Sequence, residues 1–140
     1  MPDASEFPSR GKILSIDPGH VIFNPVGTNY QIKLATSGKY AGAVGQSVEV
    51  TLGGSARKIW TVASGGNFVA PIFGPPRIIQ GRVKWLDQTT MVVHAGPTFH
   101  ITLPAADSAM DLTNGGIGVG SLVNITLMPG ATLKPAMATV

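Results

Sequence analysis

His94 and His100 bracket the five-residue run AGPTF. Imidazoles on neighbouring strands of a hairpin can share a divalent cation if a third ligand joins them. The carboxylates on that side of the chain, Asp87, Asp107 and Asp111, are not at a spacing diagnostic of one. The two histidines therefore read first as polar residues on a solvated strand face, with a metal pair as the sharper alternative. His20 lies in the turn DPGH and has no evident partner. A second set of residues interleaves bases with tryptophan. Arg57 and Lys58 precede Trp60, and Arg82 and Lys84 precede Trp85. Nucleobases stack on aromatic rings while phosphates pair with Lys and Arg, so such a pattern suits a single-stranded nucleic acid. With Lys12, these residues form the candidate ligand-binding set for an anionic partner. The competing reading places both tryptophans in a core. Strand alternation would turn Trp85 inward with Val83 and leave Arg82 and Lys84 outside.

The glycines of NGGIGVGS, Asn114 to Ser121, suggest a phosphate cradle. A nucleotide loop of that kind needs a strand before it, a helix after it and a Lys-Ser/Thr pair. Here no lysine is present and a strand-like run follows, so a turn is the better reading. No catalytic constellation emerges. There is no cysteine nucleophile and no serine in a G-x-S-x-G elbow. Asp17 and Asp87 fall at the ends of strand-like runs, where a carboxylate accepts local backbone N–H bonds. The expectation is a chain that is not an enzyme and uses no cofactor.

The elements that must position these residues are short and β-rich. Of 140 residues 44% are apolar and only 12% charged, with 18 glycines and 11 prolines. Abundant Val, Ile and Thr between Gly/Pro punctuation favours strands and turns over helices. The absence of cysteine excludes a disulfide framework and a thiolate zinc site, and points to a reducing compartment. MPDASEFPSR lacks the apolar stretch of a signal peptide, and no run approaches the roughly 18 apolar residues of a membrane span. A cytoplasmic location is expected, with no membrane partner. The net charge of +3 is a mild argument for an anionic ligand. Asn124-Ile125-Thr126 is a formal glycosylation sequon.

The chain repeats itself. GKILSID (Gly11 to Asp17) lies over GRVKWLD (Gly81 to Asp87), HVIFN over TMVVH, and YQIKL over FHITL. VGQSVEVTLGGSARK lies over VGSLVNITLMPGATLK. Four blocks in one order indicate internal duplication. Each copy reads as three strands, a variable segment and two more strands. PVGT and AGPT form hairpin loops, and a glycine turn precedes each last strand, ARKIWTVA and ATLKPAMATV. Pro104 and the alanines after it allow a short helix in the second copy. Pro135 suits a strand edge or a bulge.

This order predicts an all-β protein of two tandem, five-stranded, OB-like barrels. The expected organisation is an N-terminal arm (1–10), a first barrel (11–63), a connector (64–80) and a second barrel (81–140). A unit of about 60 residues buries little surface alone. The connector, GGNFVAPIFGPPRIIQ, is therefore expected to bury Phe68, Ile72 and Phe73 between the barrels or against another subunit. The strand order resembles the OB-fold. The two seventy-residue repeats, with their G-x-I/V openings and G-x-x-V-x-V fourth strands, resemble tandem molybdate-binding modules of the MOP/TOBE type. The first resemblance implies nucleic-acid, oligosaccharide or protein binding; the second implies oxyanion binding at subunit interfaces. The Ser-Ala-Arg-Asn opening of the molybdate-binding family is missing, so no site residue is carried over from it. The expected function is a non-catalytic binding or assembly module. Its partner is a protein, a second copy of the chain or an anionic ligand.

Overall fold

The computed structural model describes residues 7–36, 40, 42–104, 110–111 and 116–135. Among them there are twelve strands and no helix. The strands are β1 (Ser9–Asp17), β2 (His20–Pro25), β3 (Gln31–Ala35), β4 (Ser47–Thr61), β5 (Phe68–Ala70) and β6 (Phe73–Gly74). They continue with β7 (Ile78–Leu86), β8 (Thr90–His94), β9 (Thr98–Thr102), β10 (Met110–Asp111), β11 (Leu122–Leu127) and β12 (Thr132–Pro135). The short helix expected after Pro104 falls mostly outside the described residues. Alternation sets the faces, as a two-residue period requires. In β1, Ser9, Gly11 and Ile13 are buried while Arg10, Lys12 and Leu14 are exposed.

All twelve strands join one sheet, and its pairings close on themselves. β1, β2 and β3 form an antiparallel meander. The other edge of β1 pairs with Ser47–Val50 of β4. β12 pairs antiparallel with Val50–Gly53 of β4 and touches β3 in parallel at Ala35. β7, β8 and β9 repeat the meander. β11 joins β7 to the far half of β4, at Ala56–Thr61, and β9 runs parallel to β4 at Leu52–Ser55. Both circuits therefore pass through β4, and one buried cluster runs through both, from Ile13, Phe23 and Leu34 to Phe99, Ile101 and Ile125.

The sequence places a glycine turn between SVEVTL and ARKIWT. The chain instead runs straight through Gly53 and Gly54 as a single fifteen-residue strand. Neither glycine has a positive φ. They leave room for other strands: a Cβ on Gly53 would come within 2.8 Å of the Thr132 hydroxyl on β12. Because β4 does not turn, its second half leaves the first circuit, and β12 from the far end of the chain takes that place. Strand pairing thus crosses the expected boundary between residues 63 and 81 in both directions.

Segment 64–80 carries β5, β6 and the start of β7. β5 pairs with β7, while β6 pairs with β3, so the segment bridges the two circuits. Its buried residues are Val69, Pro76, Ile79 and Gln80. Within the chain Phe68 is half-buried, whereas Ile72 and Phe73 are 46% and 64% exposed. Parallel pairing of Phe73 with Gln31 turns this segment toward solvent rather than into the core. The seam is also hydrogen-bonded. Ser9 Oγ donates to Thr98 O (2.7 Å) and accepts from Thr98 N (2.9 Å), and Tyr30 Oη accepts from Val69 N.

Two features recur seventy residues apart. Register slips between Ile13 and Ser15 in β1, and between Val83 and Trp85 in β7. Gly11 and Gly81 each lie against the backbone carbonyl of the facing strand, that of Asn24 and of His94, where a Cβ would overlap the oxygen. Gly81→Ala is expected to lower stability by about 1–3 kcal/mol, as overpacking does; chemical denaturation of the variant measures it. Cutting a protease site placed within Ser64–Asn67 is expected to leave both fragments associated and folded, because β4 and β12 hold each circuit closed from the other side. Separation of the fragments on native size exclusion would contradict the pairing.

Candidate functional site

An open groove of about 690 Å3 lies on the outer face of the strip β2–β1–β4. Cross-strand register assembles it. Lys12 lies between Asn24 on β2 and Ser47 on β4, and one step along, Arg10 lies beside Glu49. Directly opposed residues are about 4.5–5.5 Å apart at Cβ, close enough to act together. Arg10 Nε donates to Glu49 Oε1 at 2.8 Å. Both groups are solvated, so the pair orients the side chains more than it stabilises the fold. Lys12 makes no ion pair or hydrogen bond among the described residues. The amide of Asn24 is fully used as a donor, to Thr28 O (3.0 Å) and Tyr30 O (2.8 Å), which fixes the β2–β3 loop. That loop carries Gly27 at φ 75 and presents Val26, 72% exposed, at the rim.

The remaining sequence-derived candidates do not gather in this groove. Arg82 and Lys84 are exposed on β7, which is separated from β4 by β11 while β1 pairs with β4 directly. Arg82 occupies the position matching Lys12, yet its guanidinium donates to Gly120 O at 3.0 Å. Its cross-strand neighbours are His94 and Leu122 rather than Asn24 and Ser47. Lys84 is the bulged residue of β7. The same bulge leaves Trp85 half-buried, although Val83 is fully buried as alternation requires. Arg57 and Lys58 sit on the second half of β4, where a slip opposite Thr126 and Leu127 exposes two consecutive residues; Trp60 is half-buried between Asn124 and Asp111 on the neighbouring strands. The groove contributors Asn24, Ser47, Val48 and Glu49 were not signalled by residue type; only the strand register unites them.

The histidines are engaged locally. His94 Nδ1 lies 3.4 Å from Thr98 Oγ1, and His100 Nε2 lies 2.9 Å from Phe7 O. No cluster of three metal-ligating side chains occurs among the described residues. Partial burial, and then the nearby Lys84 ammonium, hold the His94 imidazole below its ordinary pKa. Asp87 caps its turn: its Oδ1 accepts from the backbone N–H groups of Thr89 and Thr90, both at 2.8 Å, and these bonds hold its carboxyl below the usual value. The glycine run ends in a turn as well. Gly120 N–H donates to Val83 O, and Ser121 Oγ accepts from Gly118 N–H. In the sequon, the Asn124 amide donates to Gln80 Oε1 at 3.1 Å inside the sheet.

No protein-family model, curated protein or solved structure matches the chain. The groove must therefore be read from its own groups. They offer one unspent cation, a fixed cation–carboxylate pair, hydrogen-bonding atoms and two valines. No helix among the described residues is long and apolar enough to cross a membrane.

The lowered His94 pKa has a pH consequence. The unfolded chain takes up this proton at higher pH than the folded one. His94 therefore supports the fold fully above about pH 6.5, the ordinary histidine value, and this support is lost as pH falls toward its folded pKa. Chemical denaturation at pH 7.5 and pH 5 is expected to show a smaller stability loss for His94→Asn than for the parent, Asn being the residue at the matching position 24.

Proposed function

We propose that the chain is a non-catalytic binding module and that the groove over β2–β1–β4 is its ligand face. In this reading the fold is two OB-like five-stranded units that exchange their last strands. One consists of β1, β2, β3, the first half of β4 and β12. The other consists of β7, β8, β9, β11 and the second half of β4. Support for duplication comes from the paired bulges and the paired glycines. A matching pair of bonds adds to it: Gly45 N–H donates to Ile13 O (2.7 Å), and Gly120 N–H donates to Val83 O (2.8 Å). OB-type folds serve binding, usually on the face of strands two and three; the groove here adjoins strands one, two and four instead.

The observation that carries the reading is the unpartnered Lys12 between Asn24 and Ser47, in a groove whose volume is in the range of small-ligand sites, about 300–1,000 Å3. The matching cation in the second unit is held by a backbone carbonyl, so the two units differ at this point. Amide chemical shifts mapped during titration with oligonucleotides, oligosaccharides, molybdate and peptides test it. The expected response lies in Arg10–Lys12, Asn24–Gly27 and Ser47–Glu49. A response confined to Arg57–Trp60 or Arg82–Trp85 would relocate the site.

The exposed Ile72 and Phe73 favour an assembly role beside the groove. Phe73→Asp is expected to leave the melting temperature nearly unchanged, since the ring is mostly in solvent. If these side chains meet a partner copy, the same change lowers the sedimentation coefficient; an unchanged value removes them from any self-interface.

A further inference from the structure

Resting on the groove as the ligand face, we infer the class of ligand: the carboxyl terminus of a partner polypeptide ending in an aliphatic residue. Lys12 has three unspent N–H donors and a full charge, and the Ser47 hydroxyl beside it is unpaired. Together they suit one anionic group. Arg10 spends only its Nε–H on Glu49 and adds further donors, whereas Asn24 and Glu49 have the opposite need. Both amide hydrogens of Asn24 are committed to the β2–β3 loop, so what Asn24 can still offer is its carbonyl oxygen. Glu49 spends Oε1 on Arg10 and keeps Oε2. A ligand that satisfies both sets carries a negative charge next to N–H or O–H donors.

A bare oxyanion would fit Lys12, Ser47 and Arg10 but leave the acceptors Asn24 Oδ1 and Glu49 Oε2 unmatched. A nucleic-acid strand would ask for stacking platforms, and no lining residue of the groove is aromatic. Two classes then remain, a carboxylated sugar and a peptide end, and the apolar side of the groove decides between them. Val26 stands 72% exposed at the rim, while half-buried Val48 borders the groove with its side chain packed against the core. Aliphatic side chains in water gain from an aliphatic partner, which a terminal Val, Leu or Ile supplies and a hydroxylated ring does not. The assigned pose places the terminal carboxylate on Lys12 and Ser47, peptide N–H groups on Asn24 Oδ1 and Glu49 Oε2, and the last side chain against Val26.

The test uses the full chain and fluorescein-labelled hexapeptides randomised at three positions before a terminal Val, with the carboxylate either free or amidated. Free-carboxylate peptides are expected to raise anisotropy on binding. Amidation and Lys12→Gln should each weaken them by about tenfold or more, as loss of a charge-assisted hydrogen bond does. Lys12→Arg should retain most of the binding, and Val26→Asp should lose it. Lys12 and Val26 are both exposed, so unchanged melting temperatures are expected and confirm that each variant is folded. Equal binding of amidated and free peptides overturns the assignment, as does indifference to Lys12→Gln. Uronic-acid oligomers that shift the groove amides while the peptides do not would overturn the ligand class and keep the groove. Silence of the groove amides with every ligand would overturn the groove reading itself.

Discussion

The structure depends on one strand that does not turn. At fifteen residues β4 spans about 50 Å, between two and three times the length of an ordinary strand. Its first half completes one circuit with β1 and β12, while its middle and second half complete the other with β9 and β11. Neither circuit is whole without residues from beyond the middle of the chain. The hydrophobic consequence is a single core in which Leu52 and Ile59, from opposite halves of one strand, are both fully buried. Units of this size bury too little surface to stand alone comfortably. Pairing of both circuits with β4 instead joins them in one ladder.

The same arrangement shapes the groove. β1 is held on both edges, by β2 and by β4, so its outward residues are fixed relative to both neighbours. Gly11 lets β1 approach β2 so closely that no side chain fits between them. Equivalent geometry around Gly81 supports a different surface, because His94 and Leu122 stand where Asn24 and Ser47 do in the first unit. Similar register slips and close glycine contacts thus frame unlike side chains, which leave Lys12 without a partner among the described residues and hold Arg82 on the Gly120 carbonyl.

Much of this frame was legible in the sequence. The β class, the meanders GKILSID–HVIFN–YQIKL and GRVKWLD–TMVVH–FHITL, and their hairpin loops all appear where alternation and turn residues put them. The inward Val83 and outward Arg82 and Lys84 follow from the same period. Gly53-Gly54 misled, because glycine signals a turn as readily as a place where strands crowd together, and only tertiary pairing distinguishes the two. The bulges that half-expose Trp85 and expose both Arg57 and Lys58 are likewise invisible to a strict two-residue period. Ile72 and Phe73 invited burial by hydrophobicity alone, but β6 pairs at a position that turns them outward. The groove was illegible for a simpler reason. Asn24, Ser47 and Glu49 are unremarkable residues, far apart in the chain, that register alone makes neighbours of Lys12.

Long-range strand pairing also sets an order of events during synthesis. The ladder between β3 and β12 joins Ala35 to Thr132, and the seam joins Ser9 to Thr98. A chain emerging from the ribosome therefore holds β1, β2, β3 and the first half of β4 for most of its translation with an unfilled slot beside β4. Unpaired strand edges recruit other strands, and loops this long close slowly. The slot accepts a strand of the β12 pattern, Thr-Leu-Lys-Pro, and the nearest earlier sequence with alternating character is the second half of β4 itself. A nascent chain that folded this half back at Gly53-Gly54 would make a locally plausible hairpin and would have to release it before β12 could dock. Vectorial folding of this protein thus contains a choice between a near partner that comes first and a distant partner that comes last.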